Sequence, residues 1–148
     1  MESKELKLLI FSINDEYYAT DIMEVERILG YEDPTEIPDC PDFVEGVINY
    51  EGSILPIISL AKRFNLPEQQ IKNDSKIIVA KQSESRIGII VDVVSEVKDI
   101  SEDCIEDPPE VILGISKRYI KGLVKNDKQI IIFLNLSAIL TDDEKRML

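Results

Sequence analysis

The amino-acid sequence contains one hairpin-like segment twice, and this repeat constrains the fold more than any other feature. The segment "GVINYEGSILPIISL" (residues 46–60) reappears as "GLVKNDKQIIIFLNL" (residues 122–136), without a gap and 76 residues later, 122 minus 46. In each copy two apolar runs flank a short polar turn, which is the pattern of a β-hairpin. The spacing is about half of the 148-residue chain. The repeat therefore predicts an internally duplicated β fold.

Further elements occur in the same order in both halves. Each half has a first hairpin, an E-V-x-x-I segment, a proline-containing break, the repeated hairpin and a short helical turn. The first hairpins are "LKLLIFSI" with "YYATDI" and "KIIVA" with "RIGIIVDVV", and the next segments are "MEVERI" and "SEVKDI". This last pair aligns Val25 with Val97. Two hairpins and a linking strand give about five strands per half.

Five short strands with one apolar face usually close into a small barrel, because closure removes exposed sheet edges. A barrel of roughly 70 residues buries little surface alone, so we expect the two to pack on a shared core. The predicted fold is one mainly β domain over residues 1–148. It consists of two pseudo-repeated barrels at roughly 6–66 and 76–140, with room for strand exchange, and a few short helices. Thr141 and Glu144 have capping-box spacing, which predicts a helical tail over residues 141–148.

The charge of the chain argues against two classes of partner. The net charge is −12 and the pI is about 4.4, whereas nucleic acids and anionic membrane surfaces both attract basic proteins. No apolar window approaches the roughly 18 residues of a spanning helix, and the first residues do not resemble a signal peptide. We therefore expect a cytoplasmic protein that binds other proteins, with no nucleic acid and no membrane insertion. In that compartment Cys40 and Cys104 are expected to be free thiols.

The absence of histidine narrows the chemistry further. A chain with no histidine cannot use a histidine acid, base or phosphoacceptor, and it lacks the commonest zinc ligand. Phosphate-binding loops, nucleophile elbows and calcium loops are also absent from the sequence. One catalytic alternative stays open, a carboxylate- or metal-dependent enzyme on a double β-barrel. We otherwise expect no catalytic residue, no bound metal and no cofactor.

Four stretches of the sequence together resemble a known family. They are "YYATDIMEVERILGY", "IPDCPDFVEGVINYEGSILPIISLAKRF", "RIGIIVDVVSEVKDI" and "YIKGLVKNDKQIIIFLNLSAIL". The second is similar to the F-[IV]-x-G-[VI]-x-N-x-R-G signature of the bacterial chemotaxis coupling proteins, the CheW family. The resemblance extends from about residue 6 to residue 140.

This resemblance implies two intertwined five-stranded SH3-like β-barrels and an adaptor without catalytic activity. The implied partners are the cytoplasmic tip of a methyl-accepting chemoreceptor and the regulatory domain of a chemotaxis histidine kinase. Because a receptor tip is a helical hairpin, the implied contact is a helix in a groove. Matching the family's motif residue by residue places six positions at the receptor-facing groove: Val25, Arg27, Gly46, Asn49, Glu51 and Gly52.

The sequence departs from the family at two of these positions. The family's turn carries arginine where this chain has Glu51, and it often carries an acid at the position that aligns with Arg27. Both signs are reversed, so we hypothesise that Arg27 and Glu51 face each other across the groove as an ion pair. In the alternative interpretation, both are independent solvent-facing residues.

Overall fold

The computed structural model describes residues 4–82, 84–108, 117–141 and 143–144. This part of the chain is mainly β, with a four-residue α-helix, two further α-helical residues at 143–144 and several single turns of 3-10 helix. The elements in chain order are β1 (Glu5–Ile13), β2 (Glu16–Asp21), β3 (Val25–Gly30), β4 (Val44–Tyr50), β5 (Ser53–Ile58), α1 (Leu60–Arg63), β6 (Lys76–Gln82), β7 (Ser85–Val91), β8 (Val93–Ser101), β9 (Ile105–Glu106), β10 (Ile120–Asn126) and β11 (Gln129–Leu134). The 3-10 turns are Ile22–Glu24, Glu102–Cys104, Lys117–Tyr119 and Leu136–Ala138. Cys40 and Cys104 are free, as expected.

The strands form two sheets, and each sheet takes strands from both halves of the chain. The larger sheet has the order β8-β1-β2-β11-β10-β9 and the smaller has the order β3-β6-β7-β5-β4. Hairpins from different halves meet in parallel pairings, β11 with β2 and β5 with β7. The predicted mainly β architecture is confirmed, and the larger sheet has the two-residue strand β9 in addition to the five expected strands.

The repeat at a spacing of 76 residues is also a repeat of structure. The hairpins β4–β5 and β10–β11 occupy matching residues, and each contains a register shift at the same place, after Val44 and after Ile120. Strands β5 and β11 share the same burial pattern, two exposed residues followed by buried, half-buried, buried and buried residues. Equal geometry at equal spacing supports a true duplication.

The third strand of each sheet shows a different alignment from the one predicted. The sequence similarity aligned Val25 with Val97. In the sheets, β3 has an extra residue at Glu26 and β8 has one at Ser95. Matching these two bulges places Val25 with Val94. The short E-V-x-x-I similarity was therefore misleading by three residues, because the register of a strand is set by its pairing with neighbouring strands and not by a few matching residues.

The buried side chains form three clusters, and one of them joins the two barrels into a single core. One cluster contains residues of the larger sheet alone, among them Leu8 and Phe133, and one contains residues of the smaller sheet alone, among them Ile57. The third and largest joins both sheets and includes Phe11 and Phe64. This third cluster is the shared core that the size of the predicted barrels required.

The C-terminal segment is fixed to helix α1 by an arginine. The N–H of Thr141 donates to Glu144 Oε1 at 2.8 Å and the N–H of Glu144 donates to Thr141 Oγ1 at 3.1 Å, which confirms the predicted capping box. Arg63, at the end of α1, donates to both oxygens of Glu144 at 2.7 and 3.0 Å and to the carbonyl of Ile139 at 2.9 Å. Residue 142 and residues 145–148 of the predicted tail lie outside the described residues.

Candidate functional site

The bulge in β3 directs two consecutive charged side chains toward one hairpin. Val25 pairs with Ala80 and Arg27 pairs with Val79, which leaves Glu26 as the extra residue. In a regular strand, neighbouring side chains point to opposite faces. The bulge removes this alternation locally. As a result, Glu26 and Arg27 both contact the end of the β4–β5 hairpin.

Arg27 forms an ion pair with Glu51, as the hypothesis from the sequence predicted. Arg27 Nη1 lies 2.8 Å from Glu51 Oε1, and the side chains are 56% and 51% exposed. The guanidinium also lies 5.9 Å from the centre of the Tyr50 ring. Because β3 and β4 are the two edges of the smaller sheet, contacts between them close this sheet into a barrel.

Glu26 forms a second set of contacts beside this ion pair, along the seam between β3 and the β4–β5 hairpin. The Tyr50 hydroxyl donates to Glu26 Oε2 at 2.7 Å, and Arg86 Nη1 donates to the same oxygen at 2.9 Å. These bonds, first from Arg86 and then from Tyr50, lower the pKa of Glu26 below its ordinary value, and the bond to Glu26 raises the pKa of Tyr50. We call Glu26, Arg27, Tyr50, Glu51 and Arg86 the seam cluster. Both of its cations are already neutralised by a carboxylate.

The turn that carries Glu51 is fixed by its neighbours. Glu51 has φ 51° and Gly52 has φ 81°, so both central residues adopt the left-handed conformation of a tight two-residue hairpin turn. Asn49 Oδ1 accepts a hydrogen bond from the N–H of Gly52 at 3.1 Å. Asn49 and Gly52 thus position Glu51, and all three are exposed at the tip of the hairpin.

Gly46 allows another segment of the same chain, the backbone at Thr35, to pack closely against β4. Gly46 is buried with φ 145°, and a Cβ atom there would collide with the carbonyl oxygen of Thr35. Thr35 and Val47 exchange two backbone hydrogen bonds, of 2.8 and 3.0 Å. Val25 is half-buried and packs against the shared core. Of the six residues predicted for the site, Gly46 and Val25 therefore lie beneath the surface, and the other four are exposed.

An apolar groove lies beside the seam cluster and shares Tyr50 and Arg86 with it. Its volume is about 370 Å³. Ile54 is 71% exposed and Ile37 is 43% exposed. The remaining apolar lining residues are Cys40, Val47, Leu55, Pro56, Ile87 and Leu140.

Sequence reasoning did not identify Ile54 or Ile37 as site residues. A usable signal was present for Ile54, because the run "ILPII" is apolar at every position. Since strand side chains alternate between faces, such a run places aliphatic residues on both faces and exposes them wherever one face is left uncovered. Ile37 lies in the irregular segment before β4, where no periodicity marks which side chains are exposed.

Comparison with known proteins assigns the chain to a family. A family model described as a CheW-like domain matches residues 7–144. The chain belongs to the CheW-like family. Among curated members, the chemotaxis protein CheW of Treponema pallidum is 32% identical over 100% of this chain and 89% of its own length. The Thermotoga maritima protein of the same name is 34% identical over 94% of this chain and 90% of its own length.

A solved structure shows the same fold at similar identity. The crystal structure of the scaffolding protein TtCheW from Thermoanaerobacter tengcongensis is similar to this chain with a TM-score of 0.86 and 35% identity, over 97% of this chain and 91% of that one. The fold is SH3-like, as the resemblance implied. The chain is thus a non-catalytic scaffold of the chemotaxis type, and the enzyme alternative has no support.

Two other kinds of feature are absent from the described residues. Across the described residues, no group of three or more cysteine, aspartate and glutamate side chains is placed to hold a metal ion. Among the helices in the described ranges, none is long and apolar enough to cross a membrane.

Proposed function

We propose that this chain is a cytoplasmic adaptor that couples the tips of chemoreceptors to the regulatory domain of a chemotaxis histidine kinase. The observation that carries the proposal is the position of the Arg27–Glu51 pair beside an apolar groove with exposed Ile54. A groove with aliphatic anchors and a charged rim suits a helix that presents one apolar face. The family relationship supports this role.

Six residues form or support the proposed receptor-facing surface: Val25, Arg27, Gly46, Asn49, Glu51 and Gly52. An exposed ion pair stabilises a protein by only about 0–1 kcal/mol. The reversed pair is therefore more useful for orienting and selecting a partner than for holding the fold. In this proposal, Arg27 and Glu51 present one defined charge pattern to the receptor helices.

A charge-swap series tests the role of the pair. Glu51→Arg alone places two arginines together and should weaken binding of a receptor-tip helical hairpin by about three- to tenfold. Adding Arg27→Glu should restore the affinity to within about twofold, and the readout is titration calorimetry. A swapped double variant that binds no better than Glu51→Arg would reject the pairing.

Lys7 and Asp99 provide a matched control. They form an ion pair of 2.9 Å with 67% and 58% exposed side chains, and they lie on the larger sheet. Asp99→Lys alone should leave receptor-tip binding unchanged. Co-elution of the wild-type chain with the kinase regulatory domain in gel filtration tests the second half of the proposal, and its absence would contradict the adaptor role.

A further inference from the structure

The segment that leads into β4 gives the apolar groove an acidic border. Residues 31–42 contain five acids and no base, and all five are exposed: Glu32, Asp33, Glu36, Asp39 and Asp42. Two of them flank the groove-lining residues, Glu36 next to Ile37 and Asp39 next to Cys40. In the described part of the chain, neither Glu36 nor Asp39 has an ion-pair partner. Their charges are therefore free to act on a bound molecule.

The opposite side of the groove adds no free positive charge. Its lining includes Glu84 and Arg86, where the hairpin of β6 and β7 ends. Arg86 is occupied by Glu26 at 2.9 Å, and the nearby Arg27 is occupied by Glu51 at 2.8 Å. The two arginines beside the groove are thus paired with carboxylates, whereas Glu36 and Asp39 are not paired with a cation among the described residues. The formal charge of these residues together is consequently negative.

The strands around the groove favour a helical occupant over an added strand. The outer edge of β4 is already covered where Thr35 and Val47 exchange hydrogen bonds. On the other side of the hairpin, β5 pairs with β7 only at Ile57 and Ile58. An extended peptide that continued this pairing along β5 would meet Pro56, which has no N–H to donate. Side-chain contacts with an amphipathic helix require no backbone donor.

We propose that the groove selects receptor-tip helices whose apolar stripe is flanked by lysine or arginine, and that it disfavours helices flanked by acids. The inference rests on the proposed function, because it specifies the partner of the same surface. Ile54 and Ile37 supply the apolar contact, and Glu36, Asp39 and Glu84 supply the charge preference.

Two synthetic helical hairpins with an identical Ile/Leu stripe provide the probe. In one the stripe is flanked by lysines, and in the other by glutamates. With the full-length chain at low salt, the lysine-flanked hairpin should bind about tenfold more tightly in fluorescence anisotropy. The preference should shrink at 1 M salt, where the Debye length is about 3 Å. Ile54→Glu should weaken both hairpins.

A charge-reversed variant and a matched control show whether Glu36 and Asp39 cause the preference for the lysine-flanked hairpin. Glu36→Lys with Asp39→Lys should abolish the preference for the lysine-flanked hairpin. Glu16→Lys with Glu102→Lys changes the net charge equally at exposed acids outside the groove, and it should leave the preference intact. Equal effects of the two variants would show that only overall charge matters and would overturn the inference.

Three other outcomes would contradict the proposed preference for helices flanked by lysine or arginine. Equal binding of the two hairpins, no binding of either, or tighter binding of an extended peptide with the same residues would each overturn the inference. The adaptor proposal is judged separately by co-elution with the kinase regulatory domain, which does not involve these hairpins. Failure of the charge preference and failure of the proposed function can therefore be told apart.

Discussion

The contacts of Arg63 predict that this residue is among the most important for stability outside the apolar core. Its side chain is 13% exposed and binds both oxygens of Glu144, which is 20% exposed. The guanidinium also lies 4.5 Å from the centre of the Phe43 ring and 5.3 Å from that of Tyr119. With its bond to the Ile139 carbonyl, the residue connects helix α1, both repeats and the C-terminal segment.

The size of the effect follows from these contacts. A hydrogen bond to a charged group contributes about 1.5–3 kcal/mol, and a partly desolvated cation–π contact about 1 kcal/mol. Arg63→Ala removes all of them and leaves Glu144 without its cation, so the free energy of unfolding should fall by about 3–4 kcal/mol. Glu144→Gln keeps the ring contacts and one acceptor, and should cost only about 1 kcal/mol. Arg63→Lys keeps the charge but not the planar fork, and should lie between the two.

Urea unfolding followed by circular dichroism measures these differences, provided that the slope with denaturant is unchanged among the variants. A loss below about 0.5 kcal/mol for Arg63→Ala would place it with ordinary surface substitutions and refute the reasoning. Equal losses for Arg63→Ala and Glu144→Gln would show that the two aromatic rings contribute nothing.

Two further predictions concern the duplicated glycines and the response to acid. Gly46→Ala should lower the free energy of unfolding by about 3 kcal/mol because it combines a positive φ with a backbone collision. Gly122→Ala, which meets mainly the side chain of Ile105, should cost about 1–2 kcal/mol, and Gly52→Ala, in open space, about 1 kcal/mol; equal losses in urea unfolding would contradict this order. Burial acts to raise the pKa of Glu144, but its bonds with Thr141 and the charge of Arg63 outweigh burial, so the net pKa lies below the ordinary 4.5. The contribution of Glu144 is therefore complete above pH 4.5 and is lost as the pH falls through the lower folded pKa. Unfolding from pH 7 to pH 3 should depend less on pH in Glu144→Gln, and an unchanged profile would disprove the assignment.

The sequence predicted those parts of the fold that depend on local pattern. The gapless repeat of the β4–β5 hairpin carries its two-residue turn length, its bulge and its burial pattern with it, because all three are set within about 15 consecutive residues. The capping box at Thr141 is equally local, and it is present. The alignment of Val25 was wrong because the register of β3 and β8 is set by pairing with distant strands, which a match of a few residues does not report.

The ion pair of the site was predictable from the charges in the sequence, whereas the contacts that depend on the three-dimensional fold were not. The reversed signs of Arg27 and Glu51 showed in the sequence that the two residues compensate each other, and the ion pair is present. The role of Gly46 depends on the position of the Thr35 backbone, which no local sequence pattern specifies. Ile54 was missed because exposure depends on the distant strands that surround a side chain. Tyr50 and Arg86 were missed for the same reason, since their contacts join residues 24 and 60 positions from Glu26.

Each sheet combines strands from both halves of the chain, so the two sheets receive their last strands at different times during synthesis. All five strands of the smaller sheet lie between Val25 and Val91, so all of them are made before the later strands of the larger sheet. The hairpin of β1 and β2 is made first, yet one of its neighbours, β11, ends only at Leu134. The N-terminal hairpin therefore waits longest with an open edge, and a chain that ends before residue 129 leaves this edge unpaired and prone to aggregate.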